Sequence, residues 1–186
     1  KPFLKKLLGF IVICFGPFLI LLLGGYLYFD PFKVLYNYNI TSQQANKLPF
    51  IYKNRDYVST ELFIKNYPRY KYNAFIFGSS RSLSFQPDSW KKHLQQQDVP
   101  FAFDAGAESV YGIYTKLKYL DEKKVKIDKA LIILCRDWSF QHDGNHRGHL
   151  FIKDPAVSGE SKLLFQYEFL DAYLDKNFLK AFYNYK

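Results

Sequence analysis

Five residues near the middle of the chain, Gly78-Ser79-Ser80-Arg81-Ser82, follow directly on an apolar run, Ala74-Phe75-Ile76-Phe77. A serine on a tight strand-to-helix turn is well placed as a nucleophile. Its hydroxyl stands at the sheet edge, where nearby backbone N–H groups can hold an oxyanion. By composition alone Ser79 and Ser80 read more readily as a helix cap or turn, so the position after a buried strand carries the nucleophile reading. Two further groups follow similar runs: Asp104-Ala105-Gly106-Ala107 after Phe101-Ala102-Phe103, and Arg136-Asp137-Trp138 after the run ending at Cys135. Ser79, Arg81, Arg136 and Asp137 are the candidates to touch a substrate. The two arginines suit a phosphate or carboxylate, with surface ion pairing the equal alternative. Cys135 reads as a small buried hydrophobe rather than a reactive thiol.

His142, His146 and His149 fall close together in His-Asp-Gly-Asn-His-Arg-Gly-His. Imidazoles at such spacing can converge on zinc, with Asp143 as a fourth ligand, and one of them could serve as a catalytic base. The two glycines and the arginine among them favour an exposed polar loop, so neither a metal nor a cofactor is expected.

These groups need a scaffold. The apolar runs predict strands over 74–78, 100–104 and 129–135, short enough and apolar enough to be buried on both faces. Helices are predicted between them, over 87–97 and over 109–123, where Ile113, Leu117 and Leu120 recur at helical spacing. Strand and helix in alternation imply a parallel sheet with right-handed crossovers, the start of a doubly wound α/β domain. In such a sheet the ligand crevice lies beyond the carboxyl ends of the strands. Ser80, Gly106 and Asp137 should therefore share one edge. Residues 137–158 read as a long loop, followed by helical stretches over 160–171 and 177–185. Residues 31–72, with breakers at Pro31, Pro49 and Pro68, read as a connector.

The N-terminus imposes a different constraint. From Leu7 to Phe29 no residue is charged, and at about 1.5 Å per residue a helix of that length crosses a hydrocarbon core of roughly 30 Å. Lys1, Lys5 and Lys6 precede it, which places the N-terminus on the cytoplasmic side and the rest of the chain outside. Tyr26, Tyr28, Phe29 and Phe32 form an aromatic cluster at the exit, suited to the headgroup layer. A cleaved signal peptide has the same order of regions, but this run is too long and lacks a small-residue cleavage site. The reading is a single-pass anchor over 1–30 with one exported domain.

The net charge is +9, and aromatic residues make up 20% of the chain. So much aromatic surface argues for a packed core. The positive balance favours anionic lipid or an acidic cell-surface polymer as neighbours, with a solvated lysine-rich face as the plainer alternative. Nucleic acid does not suit a domain outside the cell. Cys14 in the anchor and Cys135 in the domain give no disulfide framework. The chain starts with Lys and contains no Met, which is read as a sign of a trimmed chain.

The segment Ile76-Phe77-Gly78-Ser79-Ser80-Arg81-Ser82 resembles the first conserved block of the SGNH/GDSL hydrolase superfamily, with Gly-Ser-Ser where the family has Gly-Asp-Ser. The resemblance covers about residues 73–170 and implies an SGNH, flavodoxin-like domain over 73–186. In it Ser80 is the nucleophile, and Gly106 is the second-block glycine whose N–H helps form the oxyanion hole. It is closest to membrane-anchored members serving cell-surface polymer acylation, similar to the D-alanyl-lipoteichoic acid transfer protein and alginate acetylation proteins. That implies a serine esterase or O-acyltransferase in the bacterial inner membrane, its domain extracytoplasmic and an integral membrane protein as partner. Two departures stand out. The third block's asparagine is replaced by Cys135-Arg136-Asp137-Trp138, and the family's Asp-x-x-His near the C-terminus, which supplies the base, has no counterpart in the final stretch ending at Tyr185-Lys186. Either the natural protein continues with the missing dyad, or the domain is a non-catalytic accessory subunit.

Overall fold

The computed structural model describes residues 2–36, 54–137, 139–140 and 148–185. Its elements, in chain order, begin with helices α1 (Pro2–Phe29) and α2 (Arg55–Tyr70), strand β1 (Ala74–Gly78) and a 3-10 turn (Ser80–Ser84). Then come α3 (Pro87–Lys91), β2 (Pro100–Ala102), α4 (Val110–Glu122) and β3 (Lys129–Ile133), and finally α5 (Pro155–Ser158), α6 (Lys162–Leu174) and α7 (Lys176–Tyr185). They fall into two compact units: Lys1–Tyr38 with Tyr173–Lys186, and Asn39–Ala172.

In the first unit, α1 is the one helix among the described residues long and apolar enough to cross a membrane. Up to its last turn its side chains are mostly exposed all round, as lipid-facing residues are. Pro17 lies inside it, which a membrane helix tolerates. Asp30 ends it. Its backbone turns left-handed at φ 37°, and its buried carboxylate accepts from the N–H groups of Val34, Leu35 and Tyr36 at 3.1, 3.0 and 3.3 Å.

The second unit is a mixed α/β arrangement around a three-stranded sheet in the order β2-β1-β3, parallel throughout. The register sets Phe75 beside Phe101 and Ala130, and Phe77 beside Ile132. Alternation sends Phe75 and Phe77 to one face and Ala74 and Ile76 to the other. All four are completely buried, so the central strand is covered on both sides.

β3 departs from that expectation. Lys129, Leu131 and Ile133 are half-buried, but Ile132 is 47% and Leu134 49% exposed. An apolar run is compatible with an edge strand as well as a central one, and only its place in the sheet distinguishes them. The strand and helix boundaries also contract: β2 ends at Ala102, β3 at Ile133, and α3 stops at Lys91.

The segment read as a connector contains a full helix. Asn54 caps α2 by accepting from Tyr57 N at 2.9 Å, and Pro68 lies within its last turn. The buried stripe of α2 is Arg55, Asp56, Ser59, Thr60 and Phe63. Four of those five are polar, so no apolar periodicity announces the helix. Phe63 is the exception and the centre of the core. Its ring stacks on Phe103 at 5.4 Å and lies within 6.4 Å of Phe75, Phe101, Tyr72 and Tyr119. Ile113, Leu120, Val125 and Val157 complete the cluster.

Candidate functional site at the carboxyl edge of the sheet

β1 ends at Gly78, whose φ of +155° disfavours any side chain. A Cβ there would lie 2.8 Å from the Ile133 carbonyl oxygen, so the glycine lets the ends of β1 and β3 approach. Ser79 follows, buried, with Oγ 2.9 Å from Cys135 Sγ. Cys135 is itself buried, in keeping with a packing role. The 3-10 turn then begins at Ser80, which is exposed. Among the described residues no hydrogen bond engages its hydroxyl.

The turn is held from below by Ser82. Its N–H donates to the Ser79 carbonyl at 2.9 Å. Its buried hydroxyl can donate either to that carbonyl, 2.7 Å away, or to Asp104 Oδ2, 3.2 Å away. Asp104 also pairs with the Arg55 guanidinium, and its carbonyl accepts from Ser59 Oγ at 2.9 Å. Burial draws the Arg55 guanidinium down to about 10, still charged at neutral pH. Ala105 N–H reaches back to the Gly78 carbonyl at 3.2 Å. The turns after β1, β2 and β3 thus meet at one edge of the sheet, tied together by Asp104 and Cys135.

Gly106 lies in the second of these turns, half-exposed. Its N–H donates to no group among the described residues. Phe151 borders it, with Cδ1 3.3 Å from where a Cβ would stand. Arg81, Arg136 and Asp137 are all exposed near the ends of β1 and β3.

Behind this edge lies a cluster of four charges. Lys116 Nζ stands 3.1 Å from Asp56 Oδ2 and 2.8 Å from Glu108 Oε2. Lys153 Nζ stands 3.0 Å from Asp56 Oδ2 and 2.7 Å from Glu108 Oε1. All four are buried. Two cations face two anions, so the group is neutral and each charge is compensated. Burial works against the charged form of Asp56, yet the two ammonium groups and the Asp154 N–H outweigh it and hold its carboxyl at about 2. Burial likewise opposes a charged Lys116, and Asp56 and Glu108 outweigh it to raise that ammonium. Asp154, buried without a cation of its own inside the cluster, is pushed up to about 7, chiefly by desolvation.

The cluster joins α2, the start of α4 and the far end of the long loop. Asn54 Nδ2 adds bonds to the carbonyls of His149 and Ile152 at 3.0 and 2.7 Å, and Asp154 N–H donates to Asp56 Oδ1 at 3.0 Å. These contacts hold residues 149–154, and with them Phe151, in place. Sequence reasoning missed Arg55, Asp56, Glu108, Lys116 and Lys153. One of them left a signal: Lys116 falls on the apolar stripe of α4, three residues after Ile113 and four before Leu120.

Of the histidines, His149 packs edge-on to Phe169 at 6.1 Å, while His142, His146 and Asp143 lie outside the described residues. Among the described residues no group of three metal-ligating side chains converges. No family model, curated protein or solved structure matches the chain.

Proposed function

We propose that this chain is a membrane-anchored serine acyl-ester hydrolase or O-acyltransferase of SGNH-like, doubly wound architecture, acting on a cell-envelope glycopolymer. Ser80 is the nucleophile and Gly106 N–H an oxyanion donor. The observation that carries the reading is the contrast between neighbouring serines: Ser79 is buried against Cys135, while Ser80 stands exposed and uncommitted on a braced turn at the carboxyl edge of a parallel sheet. A hydroxyl must be free to attack, and the donors around it must be fixed beforehand. The central position of β1, with β2 and β3 on opposite sides, gives the strand-order reversal beside which such sheets bind ligands. Arg81 and Arg136 would meet anionic groups of the polymer. The anchor belongs in a bacterial inner membrane with the domain outside, beside an integral membrane partner.

Among the described residues no imidazole or carboxylate reaches Ser80. That favours a second reading, a non-catalytic SGNH-like accessory subunit of a membrane complex. An ester-reactive phosphonate probe on the protein in its native membrane separates the two. Labelling confined to Ser80 and abolished by Ser80→Ala, with ester turnover falling by several orders of magnitude, supports the enzyme. A folded, unlabelled protein supports the subunit.

A further inference from the structure

We propose that α7 and the turn after α1 form a binding surface for anionic phospholipid headgroups, with Lys176 and Lys180 as the phosphate-contacting groups. The inference rests on reading α1 as a membrane span and concerns only the unit that contains it.

The last turn of α1 has two faces. Leu27 and Tyr28 are exposed, while Tyr26 is buried and packs on Tyr173 at 5.0 Å. Phe29, one turn further on, meets Phe182 at 6.1 Å, and Phe32 meets Phe178 at 4.8 Å. Phe178 and Phe182 lie one helical turn apart on α7 and stack on each other at 5.8 Å. The apolar face of α7 is therefore seated on the final turn of α1 and the residues just beyond it. Phe29 is the last residue of α1 and Phe32 lies three residues beyond it, so α7 lies at one level: the end of the span.

The exit turn returns to the same level. Tyr36 hydroxyl donates to the Leu27 carbonyl at 2.7 Å, and Lys33 Nζ donates to the Phe29 carbonyl at 3.3 Å. At the end of a span that level is the headgroup layer, where aromatic rings and long cationic side chains are both favoured. On α7, Lys176, Asn177 and Lys180 lie away from the aromatic seam and are exposed.

Charge decides the lipid class. The acidic residues of this unit are Asp30 and Asp175, and each is engaged by backbone N–H groups. Asp30 holds the exit turn, and Asp175 caps α7 by accepting from Asn177 N and Phe178 N at 2.8 and 3.1 Å. Among the described residues Lys176 and Lys180 have no carboxylate partner, and an anionic surface supplies one. An amphipathic helix with lysines on its polar side is the usual form of such contact, and each lysine at the surface is worth roughly fivefold in lipid preference.

The test uses the full chain in nanodiscs of phosphatidylcholine or phosphatidylglycerol, brominated either near the headgroup end of the acyl chains or deep within them. A fluorophore on natural Cys14, exposed within the span, should be quenched by the deep bromines. In Cys14→Ser/Cys135→Ser protein, a fluorophore on Asn177→Cys should be quenched by the shallow bromines only. That quenching should be stronger in phosphatidylglycerol, and Lys176→Gln/Lys180→Gln should abolish the difference. A quenched Cys14 label with an unquenched label at 177 overturns the proposal and leaves the anchor standing. Equal quenching in both lipids, untouched by the lysine substitutions, overturns the headgroup contact. An unquenched Cys14 label overturns the span and this proposal with it.

Discussion

Ser80 and Asp104 both lie at the carboxyl edge of the sheet but answer to different physics. Ser80 is exposed and unbonded, so Ser80→Ala should change stability by less than about 0.5 kcal/mol. Asp104 compensates the buried Arg55 guanidinium. Asp104→Ala leaves that charge unpaired and should cost about 3–5 kcal/mol. Urea unfolding in detergent measures both, and a large loss for Ser80→Ala would mean the hydroxyl is structural. Asp154 offers a pH test. Its carboxyl, pushed up to about 7 in the fold, binds a proton that the unfolded chain releases near the ordinary value of about 3.9. The folded state holds more protons across that interval. Its contribution to stability is therefore full below about pH 4 and is lost as pH rises toward 7. Asp154→Asn keeps the bond to Ala156 N and should flatten the decline between those values in a thermal-unfolding series. An unchanged slope would show that another group sets it.

At the scale of elements, the buried charges act as a joint between α2, α4 and the residues after the long loop. Gly112 shows how closely the joint is packed. It lies in the first turn of α4, where alanine would ordinarily favour the helix by about 1 kcal/mol. A methyl there would stand 1.9 Å from Glu108 Oε1 and 2.8 Å from Lys153 Cε. Gly112→Ala should thus destabilise the domain, the displaced ion pair outweighing the helical gain. Stabilisation by Gly112→Ala would show that Glu108 and Lys153 can move apart at little cost. Element type was legible where the chain is apolar: β1, β2 and β3 announce themselves as short continuous apolar runs, and α4 by the helical spacing of Ile113, Leu117 and Leu120. α2 did not, because the stripe it buries is charged at one end, and burial of a charge depends on a partner distant in sequence. Asp56 and Lys153 meet only after folding.

For the whole molecule, Lys1, Lys5 and Lys6, ahead of the uncharged run from Leu7, set the expected direction of insertion. A reporter fused after residue 186 should be active only when it requires an extracytoplasmic environment, and activity of a cytoplasm-dependent reporter would reverse the assignment. That the N-terminal helix is long and apolar enough to span a membrane was determined by the sequence, since length and the absence of charge are local properties that no partner can change. So were the parallel strand segments and the glycine-serine turn after the first of them, because hydrophobic period and turn chemistry act over a few residues. Which serine is free was decided only by tertiary structure. Ser79 and Ser80 are identical in chemistry, and they differ because the turn after β1 directs one toward Cys135 and leaves the other exposed at the edge. The exposed face of β3 and the four-charge cluster are of the same kind. Neighbours distant in the chain set both burial and charge compensation, and a run of residue types does not name its neighbours.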